Sequence, residues 1–405
     1  MLSIFLGPYI KKKKGLILLI KMKKKTLTRL PLLLCLLGCS HTSNFVSDSQ
    51  EKGLTITDLV GRTNQIKEEN RKRVLCIGAG ALRRYSYIGD RKNLVAAEDI
   101  DRNIGANVFE DVSRPYYDIH KEYLSTLPSC GKGGPQAQSA EAEKILACNP
   151  SLIISEYEDV AKADHLQNQV GVPVVVVKYG PKSVFDPNVS ASFTLLGKVL
   201  GKEGKAKSLN DYIQSSSKEL KSLSSSRKEE EEKKSIYIGC LGNWGTQDIY
   251  STSSSFPLFE ASGIKNAVSS SIKLTNGKLE KEAFLSLKPD KIVLDSAGLK
   301  KFKQTYLDDP EQFDSIDAIQ KGEIYLEMPF NAYYTNLEIA LMDAYFLASV
   351  AYPEQYKSRN RVAKYEEISQ AFLGKSCYKD TISKAKRSYG GFQKIDNLKE
   401  FLNQI

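Results

Sequence analysis

The chain has 405 residues, enough for two or three domains with substantial hydrophobic cores. Its formal net charge of +10 is concentrated at one end, because nine of its 58 Lys and Arg residues, and no acidic residue, lie before residue 30. Without these nine, the remaining 49 basic and 48 acidic residues nearly cancel, which excludes the basic surface typical of a nucleic-acid-binding protein.

The basic N-terminal stretch is typical of an export signal. Lysines follow Met22, the favoured start, and an apolar run over 30–37 is too short to cross a bilayer as a helix. The motif at 36–39 resembles a bacterial lipobox, which implies cleavage before Cys39 and a lipid on its thiol. We therefore expect an exported protein held to a membrane, on its periplasmic or other extracytoplasmic face, through Cys39. An ordinary signal peptide or an uncleaved anchor is the alternative.

The first folded segment after the polar tether predicts alternating strands and helices. A short strand and turn are expected at 54–62, a strand at 73–77, a helix at 81–89 and another strand at 94–97. Gly78 and Gly80 follow the second strand, but Arg83 replaces the third glycine of a dinucleotide-binding loop. A continuous apolar run at 172–180 predicts a strand covered on both faces.

Residues 188–226 carry apolar side chains at helical spacing and contain no proline, and a charged run follows at 227–234. They predict one long helix between two lobes, with Gly197, Gly201 and Gly204 as its weak points. Beyond it we expect strands at 235–242 and 323–327, a helix near 337–351 and helical packing to residue 405. The predicted domains are a signal (1–38), a tether (39–53), an N-terminal lobe (54–187), an interlobe helix with linker (188–234) and a C-terminal lobe with a helical extension (235–405).

A repeated pattern supports the two-lobed interpretation. Glu143 and Glu282 each begin the pattern E-x-x-L-x-x-x-P, which is followed by an apolar run. The pattern predicts a helix stopped before a proline and followed by a buried strand. A second similarity, between 89–95 and 263–268, precedes the two copies in the same order. The sequence therefore predicts two similar α/β lobes.

Cysteine and histidine usage argues against catalysis. The five cysteines after the export segment are widely spaced and match neither a disulfide framework nor a zinc motif. The three histidines form no metal-binding or catalytic motif. We expect a protein that is not an enzyme and that holds no cofactor and no metal ion of its own.

In open α/β sheets, ligands bind beyond the carboxyl ends of the strands, so two facing lobes predict a cleft there. The residues expected in that cleft are rich in aromatic and basic side chains, which suit a flat or metal-chelate ligand with negative charge. The candidate ligand-binding residues are Arg83, Arg84, Tyr85, Arg114, Tyr157, Asn243, Trp244, Tyr250, Tyr333 and Tyr334. The alternative for each is an ordinary half-buried aromatic or a solvated arginine.

From 54 to 356 the chain resembles the solute-binding proteins of ATP-driven (ABC) importers for iron complexes, haem and cobalamin. The resemblance rests on the segments 73–83, 133–135, 171–176, 252–259, 330–336 and 352–356. It implies two Rossmann-like α/β lobes joined by a single long helix, with a ligand cleft between them. It also implies that Glu143 and Glu282 dock on an ABC permease, which works with its ATPase; two symmetrically placed carboxylates suit a two-fold partner.

The resemblance leaves the ligand open. Relatives often carry tryptophan in the motif at 330–336, where this chain has Ala332 followed by Tyr333. The candidate side chains favour an iron(III) chelate, with haem, a corrinoid or a nickel chelate as alternatives. A non-transport surface lipoprotein is the runner-up class. A nitrogenase-like reductase would need cluster-binding cysteines, which are too scattered here. We expect a monomer whose partners are a small metal chelate, the permease and the membrane.

Overall fold

Two separate sheets form the centre of the computed structural model, which describes residues 53–103, 113–134, 140–242, 247–275 and 277–405. Cys39, Asn243 and Trp244 lie outside the described residues. The first sheet has three parallel strands in the order β3-β4-β5, and the second has four in the order β6-β7-β8-β9. The fold class predicted from the sequence, two α/β lobes with separate sheets, is confirmed.

The first lobe begins with an antiparallel hairpin of two strands, which Asp58 and Arg62 attach to the main sheet. The Asp58 carboxylate accepts from the amide of Val176 at 3.2 Å, and Arg62 donates to the carbonyl of Val174 at 2.7 Å. The strands of this lobe are β1 (Leu54–Thr57), β2 (Thr63–Ile66), β3 (Val74–Ile77), β4 (Leu152–Ser155) and β5 (Val174–Val176). Its helices are α1 (Ala81–Ile88), α2 (Pro115–Asp118), α3 (Lys121–Thr126), α4 (Ala142–Ala147) and α5 (Val160–Val170).

The strands of the main sheet are buried along their whole length, as their continuous apolar sequences predict. The strand expected at 94–97 is less regular than predicted. Leu94 forms a single parallel bridge with Val74, and Ala97 forms one with Ser129. These bridges nevertheless place residues 94–97 beside β3, on the side opposite β4.

The long segment between the lobes is two packed helices and not one. These are α6 (Pro187–Leu200) and α7 (Glu203–Ser225), followed by the short charged α8 (Glu229–Lys233). Gly201 ends α6 with a φ of +64°, a left-handed conformation that glycine adopts without strain. The break follows from this glycine, and α7, of 23 residues, is the single long helix that joins the lobes.

The second lobe repeats the strand–helix alternation and ends in an extension. Its strands are β6 (Ile236–Gly239), β7 (Lys291–Asp295), β8 (Ile324–Glu327) and β9 (Gln393–Ile395). Its helices are α9 (Pro257–Ser262), α10 (Lys281–Ser286), α11 (Leu299–Asp308), α12 (Pro310–Asp314), α13 (Asp317–Gln320), α14 (Leu337–Ala351), α15 (Pro353–Tyr356), α16 (Arg361–Leu373) and α17 (Leu398–Asn403). The antiparallel strand β9, inside the extension predicted to be helical, corrects that prediction.

The repeat read from the sequence has a structural counterpart. In each lobe, the helix that carries the E-x-x-L-x-x-x-P glutamate is followed by the central strand, β4 or β7, which pairs in parallel with the first strand, β3 or β6. The second similarity also recurs, because Leu94 bridges Val74 as Asn266 bridges Ile236. Equivalent short patterns therefore occupy equivalent positions beside both sheets.

The helix α14 is the most deeply buried helix. All fifteen of its residues are buried, and it packs against α7, α9 and α16. Its apolar residues belong to a hydrophobic cluster that also contains residues of β3, α1, α6 and α7, so this cluster extends across the two lobes. Among the described residues, no helix combines the length and the apolar character needed to cross a bilayer.

Candidate functional site

The carboxyl ends of the two sheets face each other, and residues that follow their strands touch. Glu98, after the segment beside β3, accepts a hydrogen bond from Tyr333, which follows β8, with 2.8 Å between oxygens. Tyr179, after β5, lies with its hydroxyl 3.1 Å from that of Thr335. The predicted cleft is therefore the place where the lobes meet.

Arg83 is buried at this meeting place and binds backbone. Its guanidinium donates to the carbonyls of Ala332, Tyr333 and Thr335 at 2.6, 2.9 and 3.0 Å. It also lies over the ring of Tyr116, 4.9 Å from the ring centre. Arg83 has only 1% of its surface exposed, and it joins the first lobe to the hairpin over 331–335, which follows β8.

Tyr333 belongs to this hairpin, and its hydroxyl lies among polar groups of the first lobe. Its phenol donates to Glu98 and accepts from the amide of Gly134 at 3.1 Å. Glu98 is 3% exposed and also accepts from the amide of Gly78, at 3.2 Å. A Cβ on Gly133 would lie 2.7 Å from the Glu98 carboxylate, so this close approach needs glycine. Burial, with the nearby Asp101 charge, raises the pKa of Glu98 to about 8.

Arg84 and Glu156 form a buried ion pair at the carboxyl end of β4. Glu156 directly follows β4, and one of its oxygens accepts from the Arg84 guanidinium. Its other oxygen has no hydrogen-bond partner among the described residues, and the same holds for Nε of Arg84. Burial raises the pKa of Glu156 to about 7 although Arg84 opposes this shift, so the site contains two carboxyl groups that titrate near neutrality.

Three tyrosines border the meeting place and are partly open to solvent. The rings of Tyr334 and Tyr179 stack with 4.2 Å between centres, and Tyr334 is 40% exposed. Tyr157 is half-buried and lines a cavity of about 80 Å³ together with Ser155 and Lys162. Burial raises the pKa of both Tyr157 and Tyr334, so their phenols stay protonated at neutral pH.

The other predicted ligand-binding residues have different surroundings. Tyr85 is buried in the core, and its phenol donates to the carbonyl of Asp90 beyond the end of α1. Arg114 is buried and donates to the carbonyl of Ile100 at 2.8 Å. Tyr250 is partly exposed and packs edge-on against Phe284 of α10.

The two glutamates of the repeat occupy equivalent exposed positions. Glu143 lies in the first turn of α4 and Glu282 in the first turn of α10. Both are exposed, and neither forms an ion pair with a described residue. Because each helix runs antiparallel to the strand after it, both carboxylates lie toward the carboxyl ends of the strands, where the lobes meet.

A second group of buried acids lies in the C-terminal lobe. Asp295 and Glu327 end β7 and β8 and are neighbours in the sheet register, and Asp343 comes from α14. Neither oxygen of Glu327 has a hydrogen-bond partner among the described residues. Burial raises the pKa of all three, that of Asp295 to about 7. The Asp295 charge adds to the shifts of Glu327 and Asp343, and the Glu327 charge adds to that of Asp343. In the described part of the chain, no three His, Cys, Asp or Glu residues are arranged to hold a metal ion.

Several residues of this meeting place are absent from the sequence-based set of candidates, namely Glu98, Glu156 and Tyr179. Each directly follows, or lies close behind, an apolar strand segment. That position was a usable signal, because the first residues after a parallel strand lie at its carboxyl edge.

Comparison with known proteins agrees with this geometry. A periplasmic binding protein family matches residues 86–329, more than half of the chain. No curated protein sequence matches it significantly. A periplasmic solute-binding protein from Veillonella parvula has a similar structure (TM-score 0.64, 17% identity, 83% of this chain and 97% of that one).

Two further solved structures are similar in fold. One is a molybdate-binding protein from Haemophilus influenzae with molybdate bound (TM-score 0.58, 17% identity, 80% of this chain and 98% of that one). The other is CeuE from Helicobacter pylori with Ni(II) bound (TM-score 0.54, 14% identity, 79% of this chain and 96% of that one). At these identities they support the two-lobed fold alone.

The chain belongs to the periplasmic binding protein family. The resemblance to solute-binding proteins of ABC importers is thereby confirmed. Membership implies an extracytoplasmic location and the delivery of a small-molecule ligand to an ABC permease.

Proposed function

We propose that this protein captures an iron(III) chelate in the cleft between its lobes and delivers it to an ABC permease and its ATPase. The observation that carries the proposal is the meeting of the two carboxyl edges, bordered by phenols, buried carboxyls and Arg84. Oxygen-rich and aromatic surfaces suit an oxygen-coordinated, anionic complex better than a bare transition-metal ion, which prefers histidine or cysteine.

The residues proposed to contact the cargo lie at the carboxyl edges, where three tyrosines are partly exposed and Arg84 is buried. Tyr334 and Tyr179 offer a stacked aromatic face, and Tyr157 lies beside the small cavity at the end of β4. Arg84, neighbouring this face, contributes positive charge, which Glu156 balances only while it is ionised. Asn243, Trp244 and Tyr250 complete the proposed set from the second lobe, while Arg83 joins the two lobes at the cleft.

In the same proposal, a lipid on Cys39 holds the protein to the membrane, and 39–53 forms the tether. Glu143 and Glu282 dock on two equivalent arginine-bearing surfaces of the permease. Their shared place in the repeat, their exposure and their lack of an ion pair with described residues support this role. The protein has no catalytic role in this proposal.

Quenching of the only tryptophan, Trp244, provides the test. The purified protein is titrated with a ferric tris-hydroxamate, a ferric tris-catecholate, ferric citrate, haemin, cobalamin, a Ni(II)–histidine complex and molybdate. We expect saturable quenching by at least one ferric chelate, and weakening by about tenfold or more in Arg84→Gln, since a charge-assisted contact is lost. Binding of haemin, cobalamin, nickel or molybdate alone would replace the iron chelate with that ligand. No response to any probe would refute the proposal.

A further inference from the structure

The hairpin over 331–335 has an unusual backbone. Asn331 and Thr335 form an antiparallel bridge, and the amide of Asn336 donates to the carbonyl of Phe330 at 2.7 Å. Between them, Tyr333 and Tyr334 both have left-handed φ values, 54° and 63°. Side chains with a Cβ disfavour this conformation, so contacts outside the hairpin must hold it in place.

Those contacts come from the other lobe. Arg83 binds three of the hairpin's carbonyls and fixes its backbone. The hydroxyl of the Tyr333 side chain, in contrast, contacts Glu98 and the amide of Gly134. The backbone is thus anchored independently of the phenol, and rotation of the side chain would leave the Arg83 contacts intact.

The groups around the Tyr333 hydroxyl resemble a small ligand site. The buried Glu98 carboxyl and the backbone N–H of Gly134 both contact this hydroxyl, and the N–H of Gly78 donates in turn to Glu98. Converging polar groups in a buried cleft typically bind an oxygen-bearing ligand. The cavity at the nearby end of β4 is only about 80 Å³, whereas ligand sites in general measure about 300 to 1,000 Å³.

We propose that Tyr333 is a displaceable internal occupant of the cleft: its phenol holds the position that a hydroxyl or other oxygen-bearing group of the cargo takes on binding. That a group of the cargo takes this position rests on the proposed function. That Tyr333 occupies it is a property of the protein alone. The cargo must displace an existing interaction, so only molecules in which Tyr333 has moved away can bind it. The apparent dissociation constant is therefore the intrinsic one divided by the fraction of such molecules.

The first experiment needs no knowledge of the cargo. In Tyr333→Ala the ring is removed, and free phenol at millimolar concentration should bind in its place, raising the melting temperature of the variant in a saturable manner. Benzene, which has the ring but no hydroxyl, should raise it much less, and neither compound should affect the wild type. Equal effects of phenol and benzene, or no effect of phenol on the folded variant, would overturn the proposal.

The second experiment uses whichever probe of the quenching panel binds. Tyr333→Phe keeps the ring but releases Glu98 and Gly134, so the dissociation constant should fall by about three- to tenfold, the worth of a lost hydrogen bond. Tyr325→Phe is the matched control, since Tyr325 also donates to a glutamate, Glu323, at 2.8 Å, but away from the cleft. An unchanged or larger dissociation constant in Tyr333→Phe would overturn the displacement.

The two failures can be told apart. If no probe binds the wild type or Tyr333→Phe, the proposed function fails, and the phenol experiment still decides whether the position accepts an oxygen-bearing ring. Should Tyr333→Ala not fold, Tyr333→Gly, which adopts the left-handed φ of 54° without strain and leaves the ring's space open, takes its place in the same phenol and benzene comparison.

Discussion

The Arg83 guanidinium donates all of its described hydrogen bonds to backbone carbonyls of the opposite lobe. Its three carbonyl acceptors lie about 250 positions further along the chain and have little access to water. A guanidinium can serve several carbonyls at once because its five N–H groups lie in one plane. The residue therefore stabilises the relative position of the two lobes, and with it the shape of the cleft.

Replacing this arginine should lower the free energy of unfolding substantially. In Arg83→Leu three buried carbonyls lose their donor, and we expect the free energy of unfolding to fall by at least about 3 kcal/mol, measured by urea denaturation. Arg73→Leu is the matched control, since Arg73 also donates to two carbonyls, those of Cys148 and Asn149, but is exposed. A similar small loss in both variants would show that the Arg83 contacts contribute little.

At the scale of single elements, strand ends carry the acids of the second sheet. Because β7 and β8 are parallel neighbours, their last residues, Asp295 and Glu327, lie side by side, and α14 adds Asp343. Carboxylates so close together in a buried place cannot all be charged. The folded lobe therefore keeps protons on this group over a range of pH in which the unfolded chain has released them.

This predicts a pH dependence of stability. The folded-state pKa values are raised above the unfolded value, so stability is full below about pH 4 and declines as the pH rises toward 7, where Asp295 titrates, by up to about 1.4 kcal/mol per group and pH unit. Glu98 and Glu156 contribute with the same sign. Glu327→Gln should make the decline between pH 5 and 8 shallower in urea unfolding experiments.

Glu311→Gln, at an exposed position of α12, is the control for this prediction and should leave the slope unchanged. A slope that is identical in wild type and Glu327→Gln would mean that the buried carboxyl group does not hold a proton that the unfolded chain lacks.

For the whole molecule, the duplicated architecture places two glutamates at equivalent positions. The two lobes each present one exposed glutamate from the helix before the central strand. In the proposed function these glutamates place the cleft over the permease, so they matter for delivery and not for capture.

Charge reversal should separate these two steps. The double variant Glu143→Arg and Glu282→Arg should reduce uptake of the bound probe into cells by about tenfold or more, since like charges then face the permease, while tryptophan quenching by the probe stays unchanged. Glu122→Arg, exposed in the first turn of α3, is the control and should transport normally. Uptake at the wild-type rate in the double variant would exclude these glutamates from docking.

The sequence by itself determined the features that depend on local pattern. Apolar runs predicted β3, β4 and β6, a helix was predicted near the bounds of α14, 337–351, and the repeated proline pattern predicted two lobes. Each of these follows from backbone preferences and from burial of neighbouring residues, which a short window of sequence contains. The rule that ligands bind beyond the carboxyl ends of strands predicted the cleft, and the family resemblance added the proposed docking role of the two glutamates.

Only the tertiary structure decided what long-range packing controls. The sequence predicts that Arg83 binds a ligand, whereas the structure shows that it binds carbonyl groups of the other lobe. Glu98 is recognised as a site residue only through its hydrogen bond with Tyr333. The pairing of β9 with β8 likewise depends on what packs beside β8. The energy of such contacts depends on residues hundreds of positions apart, and no local pattern in the sequence encodes which of them meet.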